Sequence, residues 1–351
     1  MDNKYENKIN SAILPFGRIS VLLPIPVYKH YDYLNEDLSL HIGDFVEVPF
    51  RKRCLPALVM GVGKGDIVST KLKPVLSKFD CRALTKEMID FINWVSAYNM
   101  APAGSILKMV LSAPDALHPP KPVTVFFKVS KKNIQTLRIT SSRKRGLDYL
   151  SDCKSRTMQD ITRNTDVSSA VVKGLHGLGV IGDASINQKF PSAIAVSKEP
   201  IAPILNREQI EAADKLISSV NEETFNVCLI DGVTGSGKTE VYFEAIAAVL
   251  RVKRQVLVLV PEIALSQPLL DRFEARFGFK PTQWHSDLSN AMRRQTWRAV
   301  GEGDVAVIIG ARSALFLPFL NLGLIVVDEE HEAAFKQTEG VKYQCRDMAV
   351  V

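Results

Sequence analysis

Two short runs of this sequence combine residue types that phosphate chemistry uses. The first, residues 232–239, reads GVTGSGKT and fits the pattern G-x-x-x-x-G-K-[ST]. Backbone amides of such a loop can turn inward around phosphate oxygens, and a helix that follows presents its positive N-terminus to the same anion. The pattern predicts a phosphate-binding loop (P-loop) made of Gly232, Val233, Thr234, Gly235, Ser236, Gly237, Lys238 and Thr239. In such a loop Lys238 would reach the β- and γ-phosphates of a nucleoside triphosphate, and the Thr239 hydroxyl would bind Mg²⁺.

The second run, residues 322–331, reads LGLIVVDEEH and places carboxylates directly after an apolar strand pattern. Acids in this position favour the exposed carboxyl end of a strand, where α/β sheets bind ligands. Asp328 would hold Mg²⁺, directly or through water, and Glu329 would orient and deprotonate an attacking water. A solvated strand end is the alternative for the acids alone. Together with the P-loop they predict a catalytic set of Lys238, Asp328 and Glu329.

Gln209 lies upstream, in the segment LNREQ. Its amide both donates and accepts hydrogen bonds, so it can pair with the adenine edge and would favour ATP over GTP. A plain surface glutamine is the alternative.

The elements around these residues alternate between strand and helix patterns from residue 204 to the end. Apolar strand patterns separated by amphipathic helices predict an α/β domain with a parallel sheet covered on both faces. The strand patterns are NVCLIDG, QVLVLVP, DVAVIIG and LGLIVVDE, and the helix patterns are LNREQIEAADKLISSV, TEVYFEAIAAVL and LLDRFEARF.

Residues 1–120 have a different texture, with short β-rich runs broken by Pro and Gly: RISVLLPIPV, DFVEVPF and ALVMGVG. They predict a small sheet or barrel. A helix is expected after Thr85, a plausible N-cap, because apolar residues follow at helical spacing in KEMIDFINWVSAYNM.

Residues 121–186 predict a winged-helix domain, since three short helical segments precede a Gly-bearing apolar turn. Such a domain can bind nucleic acid or contact proteins, and both remain open. For nucleic acid, phosphate contacts are expected from Lys154, Arg156, Arg163 and Lys173. Residues 187–203 contain two prolines and no strong periodicity, which favours a linker.

The net charge of +6 is uneven, because residues 121–160 hold ten Lys or Arg and three Asp. The excess suits phosphate-backbone binding or a solvated basic face. The five cysteines are scattered, without a Cys-x-x-Cys pair, so we expect reduced thiols and no zinc site. Without a long apolar tract or a secretory signal, a cytoplasmic location is expected.

Several runs resemble the PriA family of primosomal replication-restart helicases, also called primosomal protein N′. Those of its first motor lobe appear in order as GVTGSGKTE, LVPEIALS, WHSDLS, GARSALF and VVDEEHEAAFKQTEGVKYQCRD. The run VLLPIPVYKHYDYLNEDLSLHIGDFVEVPF is similar to that family's N-terminal domain, which binds the 3′ end of a nascent DNA strand. Over residues 17–351 the resemblance implies a 3′-DNA-end-binding domain (1–120) and a RecA-like P-loop lobe with a DExH box (204–351). ATP and Mg²⁺ would be its cofactors.

The resemblance also implies DNA contacts near the N-terminus. Tyr31, Asp32 and Tyr33 match an element that pockets the terminal nucleotide. An aromatic face can stack on a base, while a carboxylate accepts from a free 3′-hydroxyl. The alternative is that Tyr31 and Tyr33 alternate along a strand with one buried face.

Further DNA contacts are implied in the lobe. One matched motif, Arg312 and Ser313, touches phosphates of the single strand. An aromatic-rich loop, which in the family links DNA contact to ATP hydrolysis, matches at Phe335, Lys336, Tyr343 and Arg346.

By this resemblance the chain is part of an ATP-dependent helicase moving 3′→5′ at stalled forks, with forked and single-stranded DNA, primosome proteins and single-strand-binding protein as partners. The family's zinc sites and second lobe have no match up to Val351. That lobe supplies an arginine worth roughly 10³–10⁵ in rate in related NTPases. If these 351 residues are the whole product, we expect ATP and DNA binding with weak or no hydrolysis and unwinding. The alternatives are a non-catalytic DNA- and ATP-binding remnant, or an RNA helicase with a DExH box.

Overall fold

The computed structural model describes residues 13–65, 68–120, 122–129, 140–152, 154–186, 204–222, 224–233, 235–261 and 267–351. The chain divides into two compact units. The main unit joins Met1–Pro119 with Phe190–Val351, and the small unit is Pro120–Lys189.

The first part of the main unit is a five-stranded antiparallel sheet in the order β2-β1-β4-β3-β5. Its strands are β1 (Gly17–Leu22), β2 (Tyr31–Asn35), β3 (Phe45–Phe50), β4 (Arg53–Val62) and β5 (Ser77–Lys78). A bridge between Leu34 and Pro74 links β2 to the segment before β5, so the sheet curls towards closure. The predicted small β-rich fold is confirmed.

Two helices follow this sheet: α1 (Lys86–Tyr98) and α2 (Ala103–Val110). The Thr85 side chain accepts from the Met88 amide at 3.2 Å, so Thr85 is the N-cap that the sequence predicts. The face that α1 buries carries Met88, Ile89, Ile92 and Val95, as its apolar spacing indicates.

The second part of the main unit is an α/β lobe with a parallel four-stranded sheet in the order β10-β11-β9-β12. Its strands are β9 (Gln255–Leu259), β10 (Thr282–Trp284), β11 (Val307–Gly310) and β12 (Leu322–Val327). Its helices are α6 (Arg207–Asn221), α7 (Lys238–Arg251), α8 (Gln267–Phe277) and α9 (Asn290–Glu302). Every residue of β9 and β11 is buried, as expected for strands covered on both faces. The predicted parallel sheet is confirmed.

The lobe ends with a small hairpin, β13 (Lys336–Gln337) and β14 (Tyr343–Gln344), followed by α10 (Cys345–Ala349). A 3₁₀ helix at Arg312–Phe316 lies between β11 and β12.

The two parts of the main unit share one hydrophobic core. It contains Phe45 and Ile106 from the first part, and Trp297, Ile308 and Phe316 from the lobe. The first part is therefore packed directly onto the lobe.

One predicted strand is absent. The sequence predicts NVCLIDG as a strand before the P-loop, but residues 226–230 have no strand hydrogen bonds and Leu229 is 81% exposed. A strand needs a neighbouring backbone for its amides and carbonyls, and this segment is not paired with the described sheet.

The small unit has three helices, α3 (Ser141–Tyr149), α4 (Met158–Thr165) and α5 (Ser169–Gly177), and an antiparallel sheet in the order β7-β6-β8. The strands are β6 (Val123–Lys128), β7 (Arg156–Thr157) and β8 (Ile181–Ile186). Its own core includes Leu147, Ile161, Val172 and Leu175. No helix in the described ranges is long and apolar enough to span a membrane.

Candidate functional site

The P-loop wraps the N-terminus of α7. Gly235 and Gly237 have φ angles of 81° and 84°, which L side chains rarely adopt, so the loop needs glycine at both positions. α7 begins at Lys238, directly after Gly237. Thr234 lies outside the described residues. The turn aims the start of α7 at the space that a phosphate would fill.

The Lys238 ammonium lies across the loop itself. Its Nζ donates to the carbonyl oxygens of Gly232 at 2.6 Å and Val233 at 3.4 Å. These neutral acceptors could be exchanged for phosphate oxygens, which make stronger, charge-assisted hydrogen bonds with lysine.

Gln209 lies beside the P-loop, as predicted for a residue of the nucleotide site. Its Nε2 donates to the Ser236 carbonyl oxygen at 2.9 Å, and its Oε1 accepts from the Asn206 amide in a capping box that starts α6. The amide is thus fixed at both ends next to the loop.

The acidic box begins at the carboxyl end of β12. Val327 pairs with Leu259 of β9, and the Asp328 amide continues that ladder by donating to the Leu259 carbonyl oxygen at 2.9 Å. Asp328 therefore stands at the edge of the sheet where parallel strands end. Glu329 follows in a left-handed conformation with a φ of 51°, and its side chain is 47% exposed.

Tyr242 connects the two halves of the site. This residue of α7 donates its hydroxyl to Asp328 Oδ2 at 3.1 Å. Burial and the Asp328 carboxylate raise the pKa of Tyr242, while a hydrogen bond with Thr239 opposes the shift. The hydroxyl therefore stays protonated and lies between the two residues predicted to hold Mg²⁺. No motif in the sequence singles out Tyr242.

The donor set suits magnesium. Asp328 offers a carboxylate and Thr239 a hydroxyl, both hard oxygen ligands. Within the described ranges, no group of three or more His, Cys, Asp or Glu side chains is arranged to hold a metal ion. A magnesium ion here would draw its other ligands from nucleotide phosphates and water, as this ion commonly does.

Asp32 is the most constrained of the predicted DNA contacts. Its Oδ2 accepts from the Gly65 amide at 2.7 Å and lies 3.5 Å from the Arg18 guanidinium. A Cβ at Gly65 would lie 2.5 Å from that oxygen, so only glycine allows this approach.

Tyr31 and Tyr33 differ in exposure. Tyr31 is partly exposed, whereas Tyr33 is only 5% exposed and donates its hydroxyl to the Pro49 carbonyl oxygen at 3.1 Å. Burial raises the pKa of Tyr33. In this conformation Tyr33 cannot stack on a base, and the alternation of the strand accounts for its position.

The DNA contacts predicted in the lobe also separate by burial. Phe335 and Tyr343 are 1% and 5% exposed, and Tyr343 packs edge-on against Phe316 with ring centroids 5.3 Å apart. In this structure these two rings therefore belong to the core. The Ser313 hydroxyl accepts from Trp284 Nε1 at 3.2 Å.

The cations of this region remain near the surface. Arg312 is partly exposed and donates to the Ala334 carbonyl oxygen at 2.8 Å, while Lys336 is exposed. Arg346 pairs with Glu330 of the acidic box at 2.7 Å. The aromatic-rich loop is thereby linked to the acidic box through an ion pair.

In the small unit, Lys154, Arg163 and Lys173 are exposed, as a phosphate-binding surface needs. Arg156 is already engaged: it forms two 2.7 Å hydrogen bonds with Asp152 and lies 4.1 Å from the centroid of the Tyr149 ring. Its predicted phosphate contact would have to replace these interactions.

Two family models match this chain. The DEAD/DEAH box helicase model matches residues 206–349, and the PriA 3′ DNA-binding domain model matches residues 20–112. The α/β lobe is therefore similar to the helicase lobe of the DEAD/DEAH box class, which implies a RecA-like fold, and the β-rich part is similar to the PriA 3′ DNA-binding domain.

The chain as a whole is similar to the N-terminal part of the replication restart protein PriA. It is 34% identical over 333 residues to PriA of Rickettsia conorii (strain ATCC VR-613 / Malish 7), covering 94% of this chain and 40% of that protein. It is also 34% identical over 347 residues to PriA of Haemophilus influenzae (strain ATCC 51907 / DSM 11121 / KW20 / Rd), covering 95% of this chain and 47% of that protein. The chain thus spans less than half the length of these relatives.

Proposed function

We propose that this chain forms the DNA-end-recognising and ATP-binding part of an ATP-dependent 3′→5′ DNA helicase that initiates primosome assembly and replication restart at stalled forks. One observation carries the proposal. The Tyr242 hydroxyl, on the helix that starts in the P-loop, lies 3.1 Å from Asp328 of the acidic box. We infer from this contact that both halves of a nucleotide-hydrolysing site face one cleft.

In this cleft each residue has a separate role. Lys238 exchanges its backbone acceptors for the β- and γ-phosphates of ATP. Thr239 and Asp328 would supply oxygens to Mg²⁺, which would neutralise phosphate charge. Glu329, half-exposed beside Asp328, orients and deprotonates the attacking water. Gln209, fixed next to Ser236, reads the adenine edge.

Asp32 recognises the 3′ end of a DNA strand. The Gly65 amide fixes Oδ2, so the carboxylate is oriented before a ligand arrives. Its negative charge suits a free 3′-hydroxyl, which donates a hydrogen bond, and repels a terminal phosphate. Tyr31, at the start of the same strand, offers a partly exposed ring to the terminal base.

The lobe contacts the single strand mainly through cations. Arg312, Lys336 and Arg346 grip phosphates, with Ser313 as a further polar contact. Phe335 and Tyr343 support this surface from the core. The ion pair between Arg346 and Glu330 supports a link between DNA contact and the hydrolysing site.

The small unit is proposed to be a winged-helix domain with a DNA-binding surface of its own. Its three helices and three-stranded sheet support this interpretation, and Lys154, Arg163 and Lys173 are exposed for phosphate contact. Primosome proteins and single-strand-binding protein are the proposed protein partners, and the cytoplasm is the proposed location.

A second candidate function is a DNA- and ATP-binding protein with little turnover. The segment before the P-loop favours it: Phe225 and Leu229 are 76% and 81% exposed, where a motor would bury an apolar strand. A poorly supported P-loop can bind phosphates and still fail to hold the transition state.

Steady-state ATP hydrolysis with and without forked DNA separates the two candidates. Turnover that the fork stimulates and that Glu329→Gln removes would exclude the binding protein and favour the helicase part. Fork binding without stimulated turnover would favour the binding protein. A chain that binds neither ATP nor forked DNA would contradict both candidate functions.

DNA-end recognition is tested with Asp32→Ala. We expect the variant to lose the preference for a fork with a free 3′-hydroxyl over one with a 3′-phosphate, because the oriented carboxylate is gone. A hydrogen bond to a charged group is worth about 1.5–3 kcal/mol, so the preference should fall by about tenfold or more. Fluorescence anisotropy with both forks measures it.

Asp37→Ala is the matched control, since Asp37 is an exposed acid just beyond the far end of β2. It should leave the preference intact. If Asp32→Ala kept its preference for a free 3′-hydroxyl over a 3′-phosphate, the role of Asp32 would be only structural, in its contacts with Arg18 and Gly65.

A further inference from the structure

The β3–β4 hairpin turn carries a run of cations, Arg51, Lys52 and Arg53, all exposed. We infer that this turn, here called the basic tip, binds backbone phosphates of the DNA strand whose 3′ end lies at Asp32. This inference rests on the proposed recognition of a DNA end and extends it to a second, electrostatic site.

The sheet topology brings the basic tip to the proposed end site. β2 begins at Tyr31 and β3 ends at Phe50. Three antiparallel pairings connect the two strands through β1 and β4, so β2 and β3 run in opposite directions and these two strand ends lie at the same end of the sheet. The curled sheet brings these ends together: the rings of Tyr31 and Phe50 meet edge-on with centroids 5.6 Å apart. Arg51 follows Phe50 directly, so the tip continues from the aromatic pair.

Cations flank this aromatic pair on both sides. The Lys29 ammonium lies 5.4 Å from the centroid of the Tyr31 ring, and the Arg51 guanidinium lies 5.6 Å from that of Phe50. Surfaces that bind single strands combine rings for bases with cations for phosphates. The same combination occurs here, starting beside Asp32.

The charge of the tip is not neutralised by acids. No ion pair among the described residues involves Arg51, Lys52 or Arg53. Asp32, the carboxylate at this end of β2, is already held by Arg18 and Gly65. Three adjacent cations without acidic partners produce a positive potential that attracts a polyanion.

The backbone of the tip supplies a second, independent observation. Arg51 has a φ of 54°, in the left-handed region that favours Gly or Asn in hairpin turns. A long cationic side chain is therefore held where folding alone prefers a small residue. Such outliers occur at functional sites, and here the folding and binding roles of one residue can be separated.

Arg51→Gly tests this separation in the full 351-residue chain. The variant should keep or raise the unfolding midpoint, because Gly suits the backbone, while its affinity for single-stranded DNA falls. A purely structural Arg51 would give the opposite pattern, with lower stability and unchanged DNA affinity.

The triple variant Arg51→Gly, Lys52→Gln, Arg53→Gln measures the number of phosphates. Each phosphate neutralised on a single strand adds about 0.7 to the slope of log affinity against log salt concentration. We expect the slope of the triple variant to be lower by about 2 for an oligonucleotide with a free 3′-hydroxyl. Its preference for that end over a 3′-phosphate should remain.

The matched control removes three exposed cations from the lobe: Lys215→Gln, Arg251→Gln and Lys253→Gln. It should bind with the slope of the unchanged chain. Equal losses in both triple variants would trace the effect to overall charge and overturn the inference. An unchanged slope in the tip variant, with end preference retained, would overturn it while leaving the proposed end site intact. A chain that binds no DNA would overturn both.

Discussion

Tyr242 donates a hydrogen bond to the carboxylate of the acidic box from the first turn and a half of α7. Its ring is 4% exposed, so the hydroxyl has a fixed direction. Groups that hold a metal ligand in place commonly affect metal affinity as strongly as a ligand does. We therefore assign Tyr242 a positioning role for Asp328 and Thr239 in the proposed magnesium site.

Tyr242→Phe should weaken binding of ATP in the presence of Mg²⁺ by about tenfold, because loss of such a supporting contact costs about 10–100-fold in metal affinity. Binding of ATP in EDTA should change little, since Phe keeps the packing of the ring. Titration with a fluorescent ATP analogue under both conditions gives the comparison.

The control is Tyr98→Phe, which removes a hydroxyl from a tyrosine that is 58% exposed and lies on α1. Its ATP binding should match the unchanged chain with and without Mg²⁺. An equal loss for Tyr242→Phe in both conditions would assign Tyr242 to packing alone.

Single residues show how far spacing can predict a site. The P-loop, Asp328 and Gln209 could be proposed because each belongs to a short pattern with its own chemistry. Tyr242 lies three residues after Thr239, on the same side of α7, but its partner Asp328 is 86 residues away. The burial of Phe335 and Tyr343 likewise depends on distant packing, which residue type does not show, whereas strand alternation already offered a buried face for Tyr33.

At the scale of elements, α9 fastens the lobe to the first part of the main unit. Trp297 is 2% exposed and donates its Nε1 proton to the Val110 carbonyl oxygen at 2.7 Å. Its neighbour Arg298 donates to the carbonyl oxygens of Ala116 at 3.2 Å and Asp80 at 2.6 Å. We therefore expect the proposed DNA-end domain and the proposed nucleotide-binding lobe to unfold together.

Trp297→Phe should lower the free energy of unfolding by about 1–3 kcal/mol, because the Val110 carbonyl loses its buried partner. The three tryptophans, Trp94, Trp284 and Trp297, all lie in the main unit, so their fluorescence reports its unfolding. Urea titration of the unchanged chain should give a single fluorescence transition.

Trp94→Phe is the matched control, since Trp94 is only partly buried and stacks on exposed Tyr98 at 4.6 Å between ring centroids. Its effect should be smaller than that of Trp297→Phe. Two separate transitions in the unchanged chain would contradict a shared core.

Elements with a strong local pattern were predictable, and elements that depend on a partner were not. The apolar spacing of α1 and its cap at Thr85 are local signals, and both match the structure. The pattern of residues 226–230 is equally strand-like, yet the segment is not paired with the described sheet. Composition indicates that a segment can form a strand, but not which backbone will complete it.

At the scale of the whole molecule, positive charge occurs in two places that the proposed function uses. Residues 121–160 carry ten Lys or Arg against three Asp, and the basic tip adds three exposed cations in the main unit. Regional charge could be counted from the sequence. The approach of the tip to Tyr31 could not be predicted, because it follows from the curl of a sheet whose neighbouring strands are distant in sequence.

In the proposed function, ATP and Mg²⁺ bind together in one cleft between the P-loop and the acidic box. Calorimetric titration of ATP into the chain, with and without Mg²⁺, tests it most directly. We predict that the chain binds ATP more tightly with Mg²⁺ than without it. Lys238→Ala should abolish ATP binding, and Asp328→Asn should make ATP binding insensitive to Mg²⁺. Both variants should still bind forked DNA. Normal Mg²⁺-dependent ATP binding by Lys238→Ala and Asp328→Asn would contradict the claim.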